Sequence, residues 1–250
     1  MKIRSVLCAL AATAAATVFA DVTSNVCGLL KITSDLNNTI IGVPWVEVGT
    51  TPDADIKVAK LVKTDNLTAG DKLYYYQNGT WYAWTLGANG WESDTSVTVQ
   101  NVAVAEPPES QGIARGRALI LERQGITEAK SFYLYGQFTT AAAASQTPEV
   151  GQADQPKYTL LASPKVEAFD FNAEGKIVNP GPNDQIIIPK NGGDNTILTL
   201  QDGKWGYKKA TTTTRFGRTV TTYSWTQATP IAAGTGFWYV SAGGQPTINW

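Results

Sequence analysis

Apolar and polar residues alternate over short stretches along most of this chain. Runs rich in Val, Ile, Thr and Tyr are separated by Asn, Asp, Gly and Pro, which are the usual residues of turns. No stretch of helical length repeats its apolar residues at the spacing of about 3.6 residues that an amphipathic helix requires. The pattern therefore predicts an all-β protein built from antiparallel strands.

Three strings of this pattern occur twice, in the same order and at nearly the same offset. The pairs are TIIGVPWVE at 39–47 with TLLASPKVE at 159–167, QNGTWY at 77–82 with QDGKWG at 201–206, and IARG at 113–116 with IAAG at 231–234. Two long copies indicate a pair of domains rather than a solenoid, which needs three or more short repeats. We therefore predict two tandem homologous antiparallel β-sandwich or barrel-like domains that arose by internal duplication.

The composition changes between the two copies. Residues 139–156 are rich in Ala, Ser, Gln, Thr and Pro and contain almost no bulky apolar side chain, which is typical of a flexible linker. Copy one is predicted to span residues 21–138 and copy two residues 157–250. Each copy is large enough to bury a core of its own, and the packing of both copies into one sandwich is the alternative.

The clearest local element is a hairpin at Asn78 and Gly79, because Asn-Gly between two strand-like runs favours a two-residue type I′ turn. Asp202 and Gly203 predict the same turn in copy two. Counting back from the first turn assigns the side chains to two faces, since successive residues of a strand point to opposite sides. One face carries Tyr74, Tyr76, Trp81 and Ala83, and the other carries Leu73, Tyr75, Tyr82 and Trp84.

Copy two provides an internal comparison for these faces. Its counterparts of the first face are all apolar or aromatic, which predicts that this face packs into the core; they are Leu198, Leu200, Trp205 and Tyr207. Its counterparts of the second face are mostly suited to water, and Trp45 of copy one similarly has Lys165 as its counterpart. We therefore predict an exposed aromatic strip on copy one, made of Trp45, Tyr75, Tyr82 and Trp84.

Exposed aromatic side chains on a sheet have two interpretations. Flat Trp and Tyr rings stack on the apolar faces of pyranose rings, so the strip is a candidate polysaccharide-binding surface. Aromatic side chains pack equally well against a second sheet or against the other copy, and an apolar patch indicates an interface without specifying the partner. The sequence leaves both interpretations open.

Residues 1–20 have the features of a secretory signal peptide. Lys2 and Arg4 provide a basic start, residues 6–19 are largely apolar, and the small residue Ala20 ends a plausible cleavage site. The apolar stretch is too short for a stable transmembrane helix, and no later segment reaches the roughly 20 apolar residues that a span requires. We predict a secreted, periplasmic or cell-surface protein with no transmembrane segment after cleavage.

Composition argues against several functional classes. The chain has 20 basic and 21 acidic residues without a long run of either sign, so nothing predicts binding to nucleic acid. It contains no histidine, the commonest general base and metal ligand, and no motif predicts a metal, a cofactor or a catalytic residue. Of the two cysteines, Cys8 lies in the leader. Cys27 is left as a candidate for an intermolecular disulfide or for a buried apolar residue.

Copy two contains a threonine-rich insertion at residues 210–223. Its two Thr-rich stretches flank Phe216 and Gly217, which predicts an exposed hairpin. Arg215 and Arg218 beside this turn discourage pairing between the sheet edges of two molecules. The prediction is an ordinary solvated hairpin.

Short strings at both ends of the predicted mature chain form a recognisable pattern. DVTSNVCGLL at 21–30, followed by TIIGVP at 39–44, resembles the N-terminal pattern of a paralogous family of exported proteins from verrucomicrobial and lentisphaeral bacteria. PIAAGTGFWY at 230–239 is similar to the end of that family, where a glycine precedes an aromatic strand. Cys27 and Trp45 are not part of the pattern. The family has no established activity, so the resemblance implies export and a β-rich fold.

Together these features predict an exported, non-catalytic structural or adhesion protein of the cell envelope or the extracellular space. Its expected partner is a cell-surface protein or a second molecule of the same chain. A polysaccharide-binding module that uses the aromatic strip is the alternative. A glycoside hydrolase is a more distant one, because the two carboxylates of such an enzyme lie far apart in the chain and leave no local motif.

Overall fold

The structure is a computed structural model of the chain. It describes residues 27–34, 38–46, 48–50, 55–108, 111–137, 145–165, 167–189, 194–216 and 218–250. The predicted signal peptide and residues 139–144 of the predicted linker lie outside the described residues. Among the described residues, the regular secondary structure is almost entirely antiparallel β-strand, which confirms the predicted all-β class.

Two units follow one another along the chain, the first at residues 27–137 and the second at residues 145–250. The first contains β1 (Cys27–Thr33), β2 (Asn38–Gly42), α1 (Val58–Leu61), β3 (Lys72–Gln77), β4 (Thr80–Gly87), β5 (Gly90–Ser93), β6 (Thr98–Val99), β7 (Val102–Ala103), β8 (Ala118–Glu122) and β9 (Ser131–Gln137). The second contains β10 (Lys157–Ala162), β11 (Ile177–Val178), β12 (Gln185–Ile188), β13 (Thr196–Gln201), β14 (Lys204–Arg215), β15 (Arg218–Gln227), β16 (Gly236–Ser241) and β17 (Thr247–Ile248). Within the described ranges, no helix has the length and apolarity needed to cross a membrane.

Each unit is organised around one large antiparallel sheet. The strand order is β2-β8-β3-β4-β5 in the first unit and β10-β16-β12-β13-β14-β15 in the second. Smaller two-stranded sheets pair β1 with β9, β6 with β7 and β11 with β17. None of the described sheets closes on itself, so the units are open layers rather than the barrel-like alternative.

The predicted hairpins form where their turn residues place them. Asn78 and Gly79 have φ values of 50° and 79°, and Asp202 and Gly203 have 51° and 73°, as a type I′ turn requires. The register from Gln77 opposite Thr80 to Leu73 opposite Trp84 is the one counted from the sequence. Turn chemistry therefore determines these two hairpins locally.

The two hairpins nevertheless occupy different places in their sheets. The first is β3–β4, whereas the second is β13–β14. Reading each sheet from its first strand, β3 and β4 correspond in pairing order to β12 and β13. In pairing order, the sequence comparison of QNGTWY with QDGKWG is therefore displaced by one strand. The predicted burial of the first face is nevertheless confirmed at Tyr74, Trp81 and Ala83, whereas the exposure predicted for the second face does not hold.

The molecule is layered, and each large sheet has its own core on its outer face. The core of the first unit lies between the five-stranded sheet, the β1–β9 pair and α1, and includes Leu73, Leu121 and Phe132. The core of the second unit includes Phe169, Trp205 and Phe237. The inner faces of the two sheets pack together, with Ile40, Ile120 and Ala118 against Leu160, Ala162 and Trp238.

The contact between the two sheets is nearly symmetric. The Gly42 amide donates to the carbonyl of Gly234 at 2.7 Å, and the Ala162 amide donates to the carbonyl of Gly116 at 3.0 Å. Gly42 and Ala162 are counterparts in the repeated strings, as are Gly116 and Gly234. A Cβ atom on Gly42 would lie 2.5 Å from the Cβ of Ala162, so close approach at this point requires glycine.

A buried aspartate precedes an inner strand in each unit, at the start of β3 and of β12. Asp71 accepts hydrogen bonds from the amides of Thr68 at 2.9 Å and Gln124 at 2.7 Å. Asp184 accepts from the amides of Gly181 at 2.8 Å and Ala242 at 2.7 Å. Both side chains are fully buried, so each carboxylate fastens the segment just after β8 or β16 to the neighbouring strand that follows the aspartate, β3 or β12.

The charge on the two aspartates is compensated differently. Asp71 also accepts from Nε of Arg123 at 2.7 Å, and both side chains of this ion pair are fully buried. Asp184 instead accepts from the phenol of Tyr239 at 2.8 Å. Burial and this bond to Asp184 raise the pKa of Tyr239.

The second half of the predicted linker is bonded to the second unit. Gln146 and Ile248 exchange two backbone hydrogen bonds, of 2.9 and 2.8 Å. The Glu149 amide donates to Oγ1 of Thr159. Residues 145–156 therefore pack as part of the second unit.

Candidate functional site

The predicted aromatic strip lies in the core of the first unit. Trp45, Tyr75 and Trp84 are 6%, 1% and 8% exposed, so the prediction that they form an exposed surface is wrong. Tyr82 is half-buried against the same core and stacks on Tyr75 with ring centroids 6.3 Å apart. Burial raises the pKa of Tyr75 to about 12, which is the effect expected of a phenol removed from water.

The opposite face of the β3–β4 hairpin is also covered. Tyr74, Trp81 and Ala83 are buried with Val104, and the ring of Trp238 from the second unit lies 6.0 Å from that of Trp81. Both faces of the β3–β4 hairpin are therefore covered. The prediction for the strip failed because the sequence comparison matched the β3–β4 hairpin with a hairpin displaced by one strand. It therefore treated aromatic side chains of the main core as a surface feature found only in copy one.

The largest exposed feature is the hairpin formed by the outer parts of β14 and β15. β13 pairs with β14 only from Lys204 to Gly206, whereas β14 and β15 pair from Gly206 to Arg215. Beyond this base, the two strands form a two-stranded ribbon, with no third strand of the described chain beside it. We call residues 208–225 the arm. At about 3.4 Å per residue, its eight paired positions extend roughly 27 Å from the sheet.

The arm buries almost nothing. Each described side chain from residue 208 to residue 224 is exposed, including Val220 at 57% and Tyr223 at 70%. Phe216, at the tip, has φ of 51° and its ring is completely exposed. Trp225 packs over Gly206 at the base. The predicted exposed hairpin at residues 210–223 is confirmed, except that Gly217 lies outside the described residues.

Cross-strand pairs hold the arm together. The hydroxyls of Thr212 and Thr221 are 3.2 Å apart, as are those of Thr214 and Thr219. Such pairs each contribute roughly 0.2–1 kcal/mol, and a two-stranded ribbon without a packed face is at best marginally stable in water. A ribbon of this length therefore gains stability from any surface that covers it.

The arm is basic and carries apolar side chains. It contains Lys208, Lys209, Arg215 and Arg218 and no acidic residue. Phe216, Val220 and Tyr223 add exposed apolar surface along its length. Exposed apolar side chains beside polar ones are typical of protein interaction surfaces.

Cys27, the candidate for an intermolecular disulfide, lies at the start of β1, where it is exposed and forms no disulfide within the described residues. It is diagonal to Tyr135 across the β1–β9 pair, and a hydrogen bond with Cys27 raises the pKa of Tyr135. The exposed position makes the thiol accessible to a second molecule and excludes the buried alternative. The disulfide itself remains a prediction.

The acidic residues of the described ranges include two fully buried carboxylates, Asp71 and Asp184. Within the described ranges, no group of three His, Cys, Asp or Glu residues could hold a metal ion. The buried carboxylates Asp71 and Asp184 are occupied by the hydrogen bonds that join the strands. Glu122 accepts from the phenol of Tyr74 at 2.8 Å, and burial together with this bond raises the pKa of Tyr74.

Comparison with known proteins gives no match to a family model, to a curated protein or to a solved structure. Function is therefore inferred from the geometry of the chain. The arm is the feature with the strongest indication of a role, and the sequence located it correctly but gave no reason to rank it above the aromatic strip. The signal present in the sequence was the run rich in β-branched residues at 210–223, which makes this hairpin much longer than the other predicted hairpins.

Proposed function

We propose that the chain is a non-catalytic structural or adhesion protein of the cell envelope or the extracellular space, and that the arm is its contact element. The observation that carries the proposal is the extension of β14 and β15 away from the sheet with every described side chain from residue 208 to residue 224 exposed. A folded chain gains little by maintaining such a ribbon for its own stability. A partner that covers the ribbon would supply the missing packing energy.

The rest of the molecule supports a mechanical role. Two large sheets pack face to face, the sheets have separate cores, and a buried aspartate fastens neighbouring strands in each of the two sheets. The arm is continuous with the six-stranded sheet through β14 and β15. Force applied to the arm would therefore pass into the hydrogen-bonded sheet rather than into a loop.

Export is part of the proposal. The features of residues 1–20 and the resemblance to exported verrucomicrobial and lentisphaeral proteins support a secreted, periplasmic or surface location. The partner we propose is a protein at the cell surface, which includes a second molecule of the chain. Polysaccharide binding through Trp45, Tyr75 and Trp84 loses its support because these residues are buried.

The proposal is tested by shortening the arm. Lys209 and Ser224 face each other across the hairpin, so replacing residues 210–223 with Asn-Gly closes the ribbon at a hydrogen-bonded pair. Full-length and shortened proteins are expressed in the organism that encodes the chain, and cell-surface, periplasmic and medium fractions are compared by immunoblot. Val102→Ser, at an exposed apolar residue away from the arm, is the matched control.

We expect the full-length protein and Val102→Ser to remain with the envelope and the shortened protein to be released. Circular dichroism and urea unfolding establish that the shortened protein is folded. A folded, shortened protein that fractionates like the full-length protein would contradict the role of the arm.

We also propose that the two units arose by duplication of one sheet domain. The shared start of the strand order, the repeated aspartate and the nearly symmetric contact between the sheets support this origin. In a homodimeric ancestor, the hydrogen bonds made by Gly42 and Ala162 would be equivalent by two-fold symmetry. The arm then belongs to the second unit alone, which gives the two units different roles.

A further inference from the structure

We infer that the arm pairs with the arm of a second molecule, through antiparallel association of their β15 strands. The inference rests on the proposed function and names its partner. β15 is the last strand of the six-stranded sheet, so no other described strand lies beside its outer edge along the whole length from Arg218 to Gln227. An exposed edge of this length is a template for another strand.

The two edges of the arm differ in charge. On β14, the edge beyond the base begins with Lys208 and Lys209 and ends with Arg215. On β15, Arg218 is the one charged residue. Charged residues along an edge oppose strand addition, so β14 is protected and β15 is open.

Alternation along β15 determines how two such edges can pair. Arg215 and Arg218 close the two-residue turn, and the pair that closes such a turn is hydrogen-bonded within the hairpin. Alternate backbone groups of β15 therefore point outward, at Thr219, Thr221, Tyr223, Trp225 and Gln227. When two β15 strands pair about a two-fold axis, the outward N–H and C=O groups of one strand must lie opposite those of the other. Two nearly full-length registers satisfy this condition, one centred on Thr222 and the other on Tyr223.

Antiparallel pairing also separates the charges. In the register centred on Thr222, Arg218 lies opposite Thr226 of the second molecule, and in the other register it lies opposite Ala228. The two Arg218 side chains are then about 27 Å apart along the strands in the first register and about 34 Å in the second, well beyond the screening length of about 8 Å at physiological salt. Arg218 therefore does not oppose the antiparallel arrangement of two β15 strands.

Pairing would cover apolar surface that the isolated molecule exposes. Tyr223 meets Thr221 of the second molecule in one register and the second Tyr223 in the other. Aromatic side chains paired with aromatic or β-branched residues are favourable across antiparallel strands. The two arms together form a four-stranded sheet, which is more stable than either two-stranded ribbon.

The test uses two proline variants at one cross-strand pair. Thr221 faces Thr212 across the hairpin, and the backbone N–H groups of this pair point outward instead of bonding within the hairpin. Thr221→Pro therefore removes a donor from the β15 edge, and Thr212→Pro removes one from the β14 edge. Both substitutions should destabilise the arm to a similar extent. Sedimentation velocity is run on the full-length mature protein over a wide concentration range. Cys27→Ser is included in all variants to exclude disulfide dimers.

We expect the parent protein and Thr212→Pro to form dimers with increasing concentration. Thr221→Pro should weaken the association at least about tenfold, because two-fold symmetry places the substitution in the interface twice. The inference would be overturned if both variants lost dimerisation equally, if both retained it equally, or if the parent protein stayed monomeric.

The outcomes separate this inference from the proposed function. If the parent protein is monomeric but shortening of the arm still releases the protein from cells, the arm contacts a different protein and the self-association inference fails alone. If molecules associate through β15 but the shortened protein stays on the envelope, the self-association inference stands and the envelope role of the arm fails.

Discussion

The buried pair Asp71–Arg123 allows the stability of the first unit to be tested at one defined contact. Both side chains are fully buried, and Oδ2 of Asp71 lies 2.7 Å from Nε of Arg123. Arg123 also donates to Oγ of Ser34 at 3.0 Å and to the carbonyl of Asn66 at 2.9 Å. The substitution Asp71→Ala removes the carboxylate and leaves the guanidinium in the interior with neutral acceptors.

We expect Asp71→Ala to lower the free energy of unfolding by about 3–5 kcal/mol, because it leaves a buried charge without its counter-charge. This is a large part of the roughly 5–15 kcal/mol by which domains are stable. Arg123→Met should cost less, about 1–3 kcal/mol, since Asp71 keeps the amide donors of Thr68 and Gln124. Asp184 shows that a buried carboxylate in this position is held by neutral donors alone.

Urea unfolding followed by tryptophan fluorescence measures these differences, with unchanged m-values as the condition for comparing them. The loss of unfolding free energy in the double variant Asp71→Ala/Arg123→Met should be about 1–3 kcal/mol smaller than the sum of the losses in the two single variants. The reasoning is refuted if Asp71→Ala costs no more than Arg123→Met, or if the effects of the two single substitutions add.

Three further predictions concern other parts of the molecule. Trp84→Ala should destabilise the protein by about 3–5 kcal/mol in urea unfolding, because it empties a core position. The variant should give the same result as the parent protein in titrations with polysaccharides. A saturable glycan signal that the parent protein shows and this variant lacks would contradict the burial of Trp84. Gly42→Ala should cost about 1–3 kcal/mol through contact with Ala162, and Ala162→Gly should restore most of the loss; a single variant as stable as the parent would show that the sheets are not in close contact there. The raised pKa of Tyr239 means that the folded state keeps a proton that the unfolded state loses above about pH 10, so its contribution to stability is complete below that pH and declines as the pH rises. Tyr239→Phe should therefore flatten the loss of stability in unfolding curves measured between about pH 10 and pH 12, and an unchanged slope would refute this assignment.

The sequence by itself determined the features that depend on local backbone chemistry. Alternating polarity and turn residues predicted the all-β class, and Asn78-Gly79 and Asp202-Gly203 set the position and register of two hairpins because type I′ turns need positive φ at both central residues. The threonine-rich run of residues 210–223 predicted an exposed hairpin. Each of these features involves residues that are close in the chain.

Tertiary structure decided which faces are buried and which groups meet. Tyr74 and Tyr75 lie next to each other on opposite faces of β3, and both are buried because the sheet has a core on one side and the second unit on the other. Strand alternation separates two faces but does not show what covers each of them. The Asp71–Arg123 pair likewise depends on the pairing of β3 with β8, which joins distant parts of the chain. The free edge of β15 exists because the sheet ends there, and this depends on the order of the strands rather than on the residues of β15.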